Sequence, residues 1–164
     1  MLLPGIAPVP STDGSVELAK SLGCQVVSWS SGNINDVLLK KNISNNCWKS
    51  VGSGWIIMID MDEWLCITEQ ELKTEMEQGT TILTVQGIDM IGESERIDLT
   101  DIDLHSIVRY VDHENESKKL CFLREKINDM NYNGGAHKCN PVGKIQYSKK
   151  SGQHCFSIQR ITQT

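Results

Sequence analysis

The apolar and polar positions in the first half of the chain alternate between a helical period and a strand period. Three helices and three strands are therefore expected to follow one another in turn. The expected helices cover residues 16–22, 36–49 and the stretch from Thr68 to Gly79, and the expected strands cover residues 24–29, 55–59 and 80–91. This order favours an α/β domain in which right-handed crossovers connect parallel strands.

Two of the expected helices begin at residues that are typical of helix starts. Thr68 and Glu71 have the spacing of a capping box, in which each side chain bonds the backbone N–H of the other residue. Ser11-Thr12-Asp13 precedes the first helix, where Asp13 is expected to be the N-cap. Gly23 and Gly79 follow the first and third helices, as expected of residues that end a helix.

The most apolar segment is WIIMIDMDEWL, residues 55–65. Its strand is apolar on both faces, which is typical of a central position in a parallel sheet. Asp60 and Asp62 are two residues apart, so on a continuing strand they point to the same face. They would lie at the carboxyl end of the strand, where open α/β sheets bind their ligands.

Asp60 and Asp62 together provide hard oxygen ligands for a divalent cation, which suits Mg²⁺ or Mn²⁺. The cation would offset the repulsion between the carboxylates and attract an anionic substrate. The alternative is that both carboxylates cap the next turn or lie in a solvated loop.

The second half of the chain has a weaker pattern and is expected to add antiparallel strands to the same sheet. The expected elements are a weak helix at 93–107, a polar loop at 111–119, a strand at 121–127, a Gly/Asn-rich loop at 128–143 and a short strand at 144–148. We therefore expect an irregular segment over residues 1–10, one α/β domain over 11–148 and a poorly patterned tail over 149–164.

Composition and charge exclude several classes of protein. The chain has 164 residues, of which 39% are hydrophobic, and this is enough to form a core. Its net charge of −5 argues against nucleic-acid binding, which needs clustered Lys and Arg. No apolar stretch reaches the roughly 18 residues of a membrane span. Residues 1–10 lack the basic start of a signal peptide, so a cytoplasmic location is expected.

The six cysteines are scattered along the chain and indicate reduced thiols in the cytoplasm rather than a disulfide framework. One group leaves an alternative open, because His137, Cys139, His154 and Cys155 are all zinc-ligand types. Their spacing departs from the paired short motifs of most structural zinc sites, which favours ordinary thiols. The alternative function is a small zinc-binding interaction domain.

Four segments, in order, resemble a known enzyme family. STDGSVELAKSLG resembles the D-N-x-S-T-D-x-S segment of family 2-type glycosyltransferases with the glycosyltransferase A fold. The second segment, KNISNNCWKS followed by WIIMIDMDEWL, resembles the K-N-x-x-x-x-x-W-K…W-V-I-x-x-D-M-D-E-[FW]-L run of one subgroup. TILTVQGIDMIGES and CFLREKINDMNYNGGAHKCNPVG are similar to later landmarks, which include a G-x-H-x-x-N-P-x-G loop. Together the segments cover residues 11–147.

The resemblance implies a Rossmann-like fold, with a mixed central sheet and flanking helices, and a hexosyltransferase-like activity. Such an enzyme moves a sugar from a nucleoside-diphosphate donor, here most simply a uridine-diphosphate sugar, to a hydroxyl of a glycan or another acceptor. The donor would be bound by Asp13, Lys41, Asp60 and Asp62, and Mn²⁺ or Mg²⁺ by Asp60, Asp62 and His137. The residues themselves also allow plainer roles, because Asp13 suits a helix cap, Lys41 a solvated helix position and His137 a loop bonded to backbone.

The catalytic base is expected among the carboxylates near the ligand-binding edge, because inverting transfer needs a base within hydrogen-bond reach of the acceptor hydroxyl. We choose Glu63, whose alternative role is to cap the backbone of the turn. Asp89, Glu93 and Asp129 are the other candidates.

The resemblance begins late, because family members usually start with a strand, a helix and a second strand that contribute to the nucleotide-base pocket. Here residues 1–10 run directly into STDGS, and Val9-Pro10 replaces the D-N pair. The sequence therefore resembles an N-terminally truncated member. An uncovered sheet edge would then promote self-association, and the chain could be an inactive fragment that acts as a binding module.

Overall fold

The computed structural model describes residues 12–27, 36–60, 63–90, 110–113, 118–149 and 155–158. The chain divides into two compact units, Met1–Leu39 and Lys40–Thr164. The boundary falls inside the region that the sequence predicts to be one domain. The expected irregular segment 1–10 lies outside the described residues.

The described parts contain three α-helices and nine strands, most of them short. The helices are α1 (Ser15–Ser21), α2 (Asp36–Asn46) and α3 (Glu69–Glu77). The strands are β1 (Trp55–Ile57), β2 (Glu63–Cys66), β3 (Ile82–Leu83), β4 (Gln86–Met90), β5 (Tyr110–His113), β6 (Cys121–Leu123), β7 (Ile127–Asp129), β8 (Val142–Gly143) and β9 (Cys155–Ile158).

Helix α1 belongs to the first unit and confirms the helix expected at 16–22, but its cap differs from the expectation. The N-cap residue is Gly14, whose left-handed backbone (φ 79°) no side chain caps. Asp13 lies one residue earlier, and its Oδ1 accepts the N–H of Ser15 at 3.0 Å. Residues 24–27 form no strand, so the prediction of a strand at 24–29 is wrong for that part, and residues 28 and 29 lie outside the described range.

The two other expected helices are confirmed. Helix α2 continues into a 3-10 helix, Cys47–Ser50, so that together they cover the predicted 36–49. Helix α3 begins with the capping box expected at Thr68 and Glu71, with both reciprocal hydrogen bonds present. Local polar signals of this kind act within one turn, which is why the sequence alone is sufficient to predict them.

The strands form three small sheets. The first has the order β1-β6-β3 and the second the order β2-β9-β4-β5, while β7 and β8 form a two-stranded sheet. All the strand pairs are antiparallel except β4 with β9. The protein is therefore a mixed α/β structure with small, mainly antiparallel sheets.

Strand β1 does not have the central parallel position that its sequence predicts. Among the described strands it pairs only with β6, and the pairing is antiparallel. Ile56 is buried, whereas Ile57 and Ile59 are 42% and 45% exposed. The second face is thus only partly covered, since Trp55 packs against Leu83 and its neighbours, and the apolar run alone does not determine the position in the sheet.

Long-range contacts also divide two of the other expected strands. The strand predicted at 80–91 is broken into β3 and β4 near Thr84, whose backbone N–H is bonded to the Ser148 hydroxyl at 3.2 Å instead of a neighbouring strand. The strand predicted at 121–127 is interrupted by a 3-10 turn, Arg124–Lys126. The Arg124 N–H bonds the Gly54 carbonyl at 2.9 Å at this turn.

Three further expectations need correction. The predicted polar loop at 111–119 contains most of β5, and the predicted poorly patterned tail contains β9. The predicted strand at 144–148 is reduced to one bridge, Tyr147 with Ile82. The expected weak helix at 93–107 lies outside the described residues.

Two adjacent hydrophobic clusters form the described core. The first surrounds Trp48 and Phe122, whose rings meet edge to face with centroids 4.9 Å apart. Its other buried members are Ile56, Ile82, Ile127, Met130 and Tyr132. The second cluster consists of Leu83, Val85, Leu120 and Cys121. Neighbouring residues of β6 enter both clusters, so this strand connects them. No described helix is long and apolar enough to cross a membrane.

Candidate functional site

Asp60 lies in a turn between β1 and β2 that two hydrogen bonds to Glu63 hold closed, one from its backbone and one to its side chain. The Glu63 N–H donates to the Asp60 carbonyl at 3.1 Å. In return, the Asp60 N–H donates to Glu63 Oε2 at 3.1 Å. The side chain of Glu63 thus fixes the backbone of Asp60, which is the capping role considered for it from the sequence.

Glu63 is itself held by a buried lysine. Lys118, which precedes β6, approaches Glu63 Oε1 with its ammonium at 2.5 Å, and both side chains are 5% exposed. A buried carboxylate is strongly destabilising without a positive partner, so this ion pair is needed where Glu63 lies. Both carboxylate oxygens of Glu63 are consequently occupied, one by Lys118 and one by the turn.

The carboxylate of Asp60 points to a second lysine and keeps contact with solvent. Lys40 Nζ lies 3.0 Å from both Oδ1 and Oδ2 of Asp60. The two side chains are 50% and 44% exposed. The neighbouring Lys41, which the resemblance assigns to the donor, is exposed.

The remaining predicted site residues are placed as follows. Asp62 lies outside the described residues, and Asp13 belongs to the first unit. His137 is exposed in the loop 130–140, where its ring packs against Gly135, so closely that a Cβ there would be 2.9 Å from the imidazole. Within the ranges described, no three His, Cys, Asp or Glu residues lie together as a metal site would require.

Of the alternative zinc ligands, Cys139 is half-buried against the first hydrophobic cluster. His154 lies outside the described residues. Strand β9 begins at Cys155 and is paired on both sides, with β2 and with β4.

The other base candidates are described in part. Asp129 is paired with Lys49 at 2.7 Å. Burial raises the pKa of Asp129, but the hydrogen bonds and charge of Lys49, together with backbone N–H groups, outweigh this and hold the pKa below its ordinary value. Asp129 is therefore a charged partner of Lys49. Asp89 is part of β4, and Glu93 lies outside the described residues.

The Gly/Asn-rich loop 130–140 is organised by asparagine side chains. Tyr132 N–H donates to Asn45 Oδ1 at 2.7 Å, and Asn45 Nδ2 donates to the Tyr132 carbonyl at 3.0 Å. Asn45 thus bonds the backbone of Tyr132 as a neighbouring strand would, and it joins α2 to the loop. Within the loop, Asn133 Oδ1 accepts the N–H of Lys138 at 3.0 Å, and Asn131 Nδ2 donates to the Asn140 carbonyl at 2.9 Å.

Asn45→Asp is expected to lower the free energy of unfolding by about 1–3 kcal/mol, because it replaces a donor to the part-buried Tyr132 carbonyl with a second acceptor. Urea titration measures the loss. Asn46→Asp is the matched control, since Asn46 bonds only Asn42 of its own helix in the contacts described, and the expected change is below about 0.5 kcal/mol. Equal losses in the two variants would contradict the role of Asn45.

Sequence reasoning missed Lys40, Lys118 and Asn45. Each acts across a long sequence separation, on Asp60, Glu63 and Tyr132 respectively. Nothing local marks such residues, because Lys and Asn are also the common residues of solvated surfaces. The buried Glu63, which follows a strongly apolar run, is the one signal that could have directed a search for a lysine partner.

No protein-family model, curated protein or solved structure matches the chain. The turn at Asp60 and the sequence segments described above are therefore the features of the chain that bear on its function.

Proposed function

We propose that this chain is a glycosyltransferase of the glycosyltransferase A type, which transfers a sugar from a nucleoside-diphosphate donor to an acceptor hydroxyl. Four sequence segments in the order of that family support the proposal. The structural observation that carries it is the turn at Asp60, which presents a half-exposed carboxylate from a backbone held by the buried Glu63–Lys118 pair. A fixed backbone with a solvent-exposed carboxylate is what a donor site needs in order to align its ligand.

Asp60 and Asp62 are of the residue type that suits a hard divalent cation. The Asp60 carboxylate already attracts the Lys40 ammonium at 3.0 Å, and Asp62 adds a second carboxylate two residues later in the sequence. Asp60, Asp62 and, in the family pattern, His137 would hold Mn²⁺ or Mg²⁺. When bound, the ion would supply Lewis-acid stabilisation of the leaving diphosphate.

Each neighbouring residue has a role in the proposal. Glu63 and Lys118 position Asp60, while Lys40 and Lys41 provide positive charge beside the donor phosphates. The resemblance also assigns Asp13 to donor binding; Asp13 belongs to the first unit, where its Oδ1 accepts the N–H of Ser15. With Glu63 committed to the turn, the base that receives the acceptor proton is one of the remaining candidates, Asp89 or Glu93.

A second candidate is a binding module of the same type that takes up the donor without transferring the sugar. The specific observation in its favour is that both oxygens of Glu63 are occupied and that Asp129 is paired with Lys49. Two of the four candidate bases are thus engaged in structural contacts.

Thermal unfolding with Mn²⁺ and a panel of uridine, guanosine and thymidine diphosphate sugars tests the proposal. Ligand at about 100 times its Kd should raise the Tm by roughly 5–10 °C. Asp60→Asn and Asp62→Asn should abolish the shift, whereas Glu77→Gln, an exposed change on α3, should preserve it. No shift with any donor would refute both candidates. A shift without sugar transfer or donor hydrolysis, across a panel of acceptors, would select the binding module.

A further inference from the structure

Two cysteines that are distant in the sequence lie opposite each other in the second sheet. Strand β2 ends at Cys66 and strand β9 begins at Cys155, and the antiparallel register makes these two residues direct partners. The same register pairs Glu63 with Ile158 at the other end of the two strands. We propose that Cys66 and Cys155 form a redox-active thiol pair, which is oxidised to a disulfide that joins β9 to β2.

The register is sufficient for the geometry of this bond. Directly opposite residues of an antiparallel pair have Cα atoms about 4.5 Å or about 5.5 Å apart, depending on whether they exchange hydrogen bonds. A disulfide joins Cα atoms that are about 4.4–6.8 Å apart, so both cases fall within its range. The register of the two strands therefore brings the two Cα atoms within the range of a disulfide.

Access favours Cys66 as the thiol that reacts first. Cys66 is exposed, whereas Cys121 is fully buried in the second hydrophobic cluster. Burial raises the pKa of the Cys121 thiol to about 12, and it also raises the pKa of Cys47 and Cys139. These three thiols are poor nucleophiles near neutral pH, because the thiolate is the form that attacks.

The oxidant is a small disulfide such as oxidised glutathione. The Cys66 thiolate attacks one sulfur of the oxidant and expels one reduced thiol, which leaves a mixed disulfide on Cys66. The Cys155 thiolate then attacks the Cys66 sulfur, forms the protein disulfide and expels the second reduced thiol. The protein loses two electrons and two protons, and the oxidant gains them as two thiols.

The disulfide would link β9, the strand that holds the second sheet together, covalently to β2. Strand β9 lies between β2 and β4, so it carries the contact between the two halves of that sheet. A bond from Cys66 to Cys155 closes a long loop of the chain and restricts the unfolded state. The oxidised form should therefore unfold at a Tm roughly 10 °C above that of the reduced form.

The test is disulfide mapping of the full chain after equilibration in glutathione buffers, with free thiols blocked before digestion. The expected product is one intramolecular link between the peptides of Cys66 and Cys155, reversed by dithiothreitol. Cys66→Ser and Cys155→Ser should each abolish the link and the rise in Tm. Cys24→Ser is the matched control for an exposed thiol, and it should form the link as the natural sequence does.

Three outcomes would overturn the proposal: links distributed among several cysteine pairs, stable glutathione adducts on Cys66 without the link, or a link between two copies of the chain. The same oxidation in 8 M urea serves as a second control, because an unfolded chain has no register and should give mixed pairs. The thiol pair does not depend on the proposed transferase activity, so a failure of donor binding leaves this test unaffected.

Discussion

Lys118→Met is expected to lower the free energy of unfolding by about 3–5 kcal/mol, because it leaves the buried carboxylate of Glu63 without its positive partner. Urea or guanidinium titration measures the change. Lys40→Met is the matched control, since it removes a lysine from an ion pair in which both side chains are about half exposed. An exposed pair contributes little, so a loss below about 1 kcal/mol is expected there.

A double variant separates the effect of the unpaired charge from the effect of lost packing at the Glu63–Lys118 pair. Adding Glu63→Gln to Lys118→Met removes the unpaired charge while it keeps an oxygen that can accept the Asp60 N–H. The double variant should recover at least about 1–2 kcal/mol of the loss. If Lys118→Met costs no more than Lys40→Met, or if the double variant is no more stable than the single one, the carboxylate is not held by Lys118 as described.

The same variants also connect stability to the proposed function. Because Glu63 Oε2 receives the Asp60 N–H, loss of the Glu63 position should weaken the thermal shift caused by Mn²⁺ and donor. Lys118→Met alone should reduce that shift more than the double variant does. Lys40→Met leaves the turn intact, so its effect on the shift reports only on the charge beside Asp60.

Gly143→Ala is expected to lower the free energy of unfolding by about 3 kcal/mol or more. Gly143 pairs with Ile127 between β8 and β7, and an added Cβ would lie 2.3 Å from the Lys126 carbonyl oxygen and 3.0 Å from the Ile127 Cα. Both contacts are with backbone, which cannot move without opening the small sheet. The φ of 145° is an added cost, because residues with a side chain rarely adopt it.

Gly52→Ala is the matched control for this substitution. No heavy atom lies within 4 Å of the Cβ position at Gly52, and its φ is outside the positive range. Its effect should be within about 0.5 kcal/mol, with either sign, since alanine also restricts the unfolded chain. Thermal unfolding of both variants measures the difference, and similar Tm values would show that β7 and β8 do not pack as described.

The sequence predicts best what depends on neighbouring residues. The capping box of Thr68 and Glu71, the helix over 36–49 and the mixed α/β class were all open to prediction, because the spacing of polar and apolar side chains within a few turns determines them. The order of the strands within the sheets could not be predicted in this way. A strand with two apolar faces is compatible with several positions in a sheet, and among the described strands β1 is an edge strand of an antiparallel sheet.

In the candidate site, too, the contacts within one short motif could be predicted from the sequence and the long-range contacts could not. The sequence allowed Glu63 the role of capping the turn, which the structure shows, because Glu63 and Asp60 lie within one short motif. It did not identify Lys40 or Lys118, which reach the turn from separate elements. It also missed β9, a four-residue strand whose register depends on β2 and β4 rather than on its own pattern.

The position of β9 between β2 and β4 has a consequence for how the chain is made. A ribosome synthesises β2 and β4 early, and then β5 to β8, before the strand that separates them emerges. Translation adds about 5–20 residues per second, so the facing edges of β2 and β4 remain unpaired for several seconds before β9 is synthesised. Unpaired edges attract strands of other chains. Production in cells should therefore benefit from a chaperone that covers these edges until β9 has been synthesised.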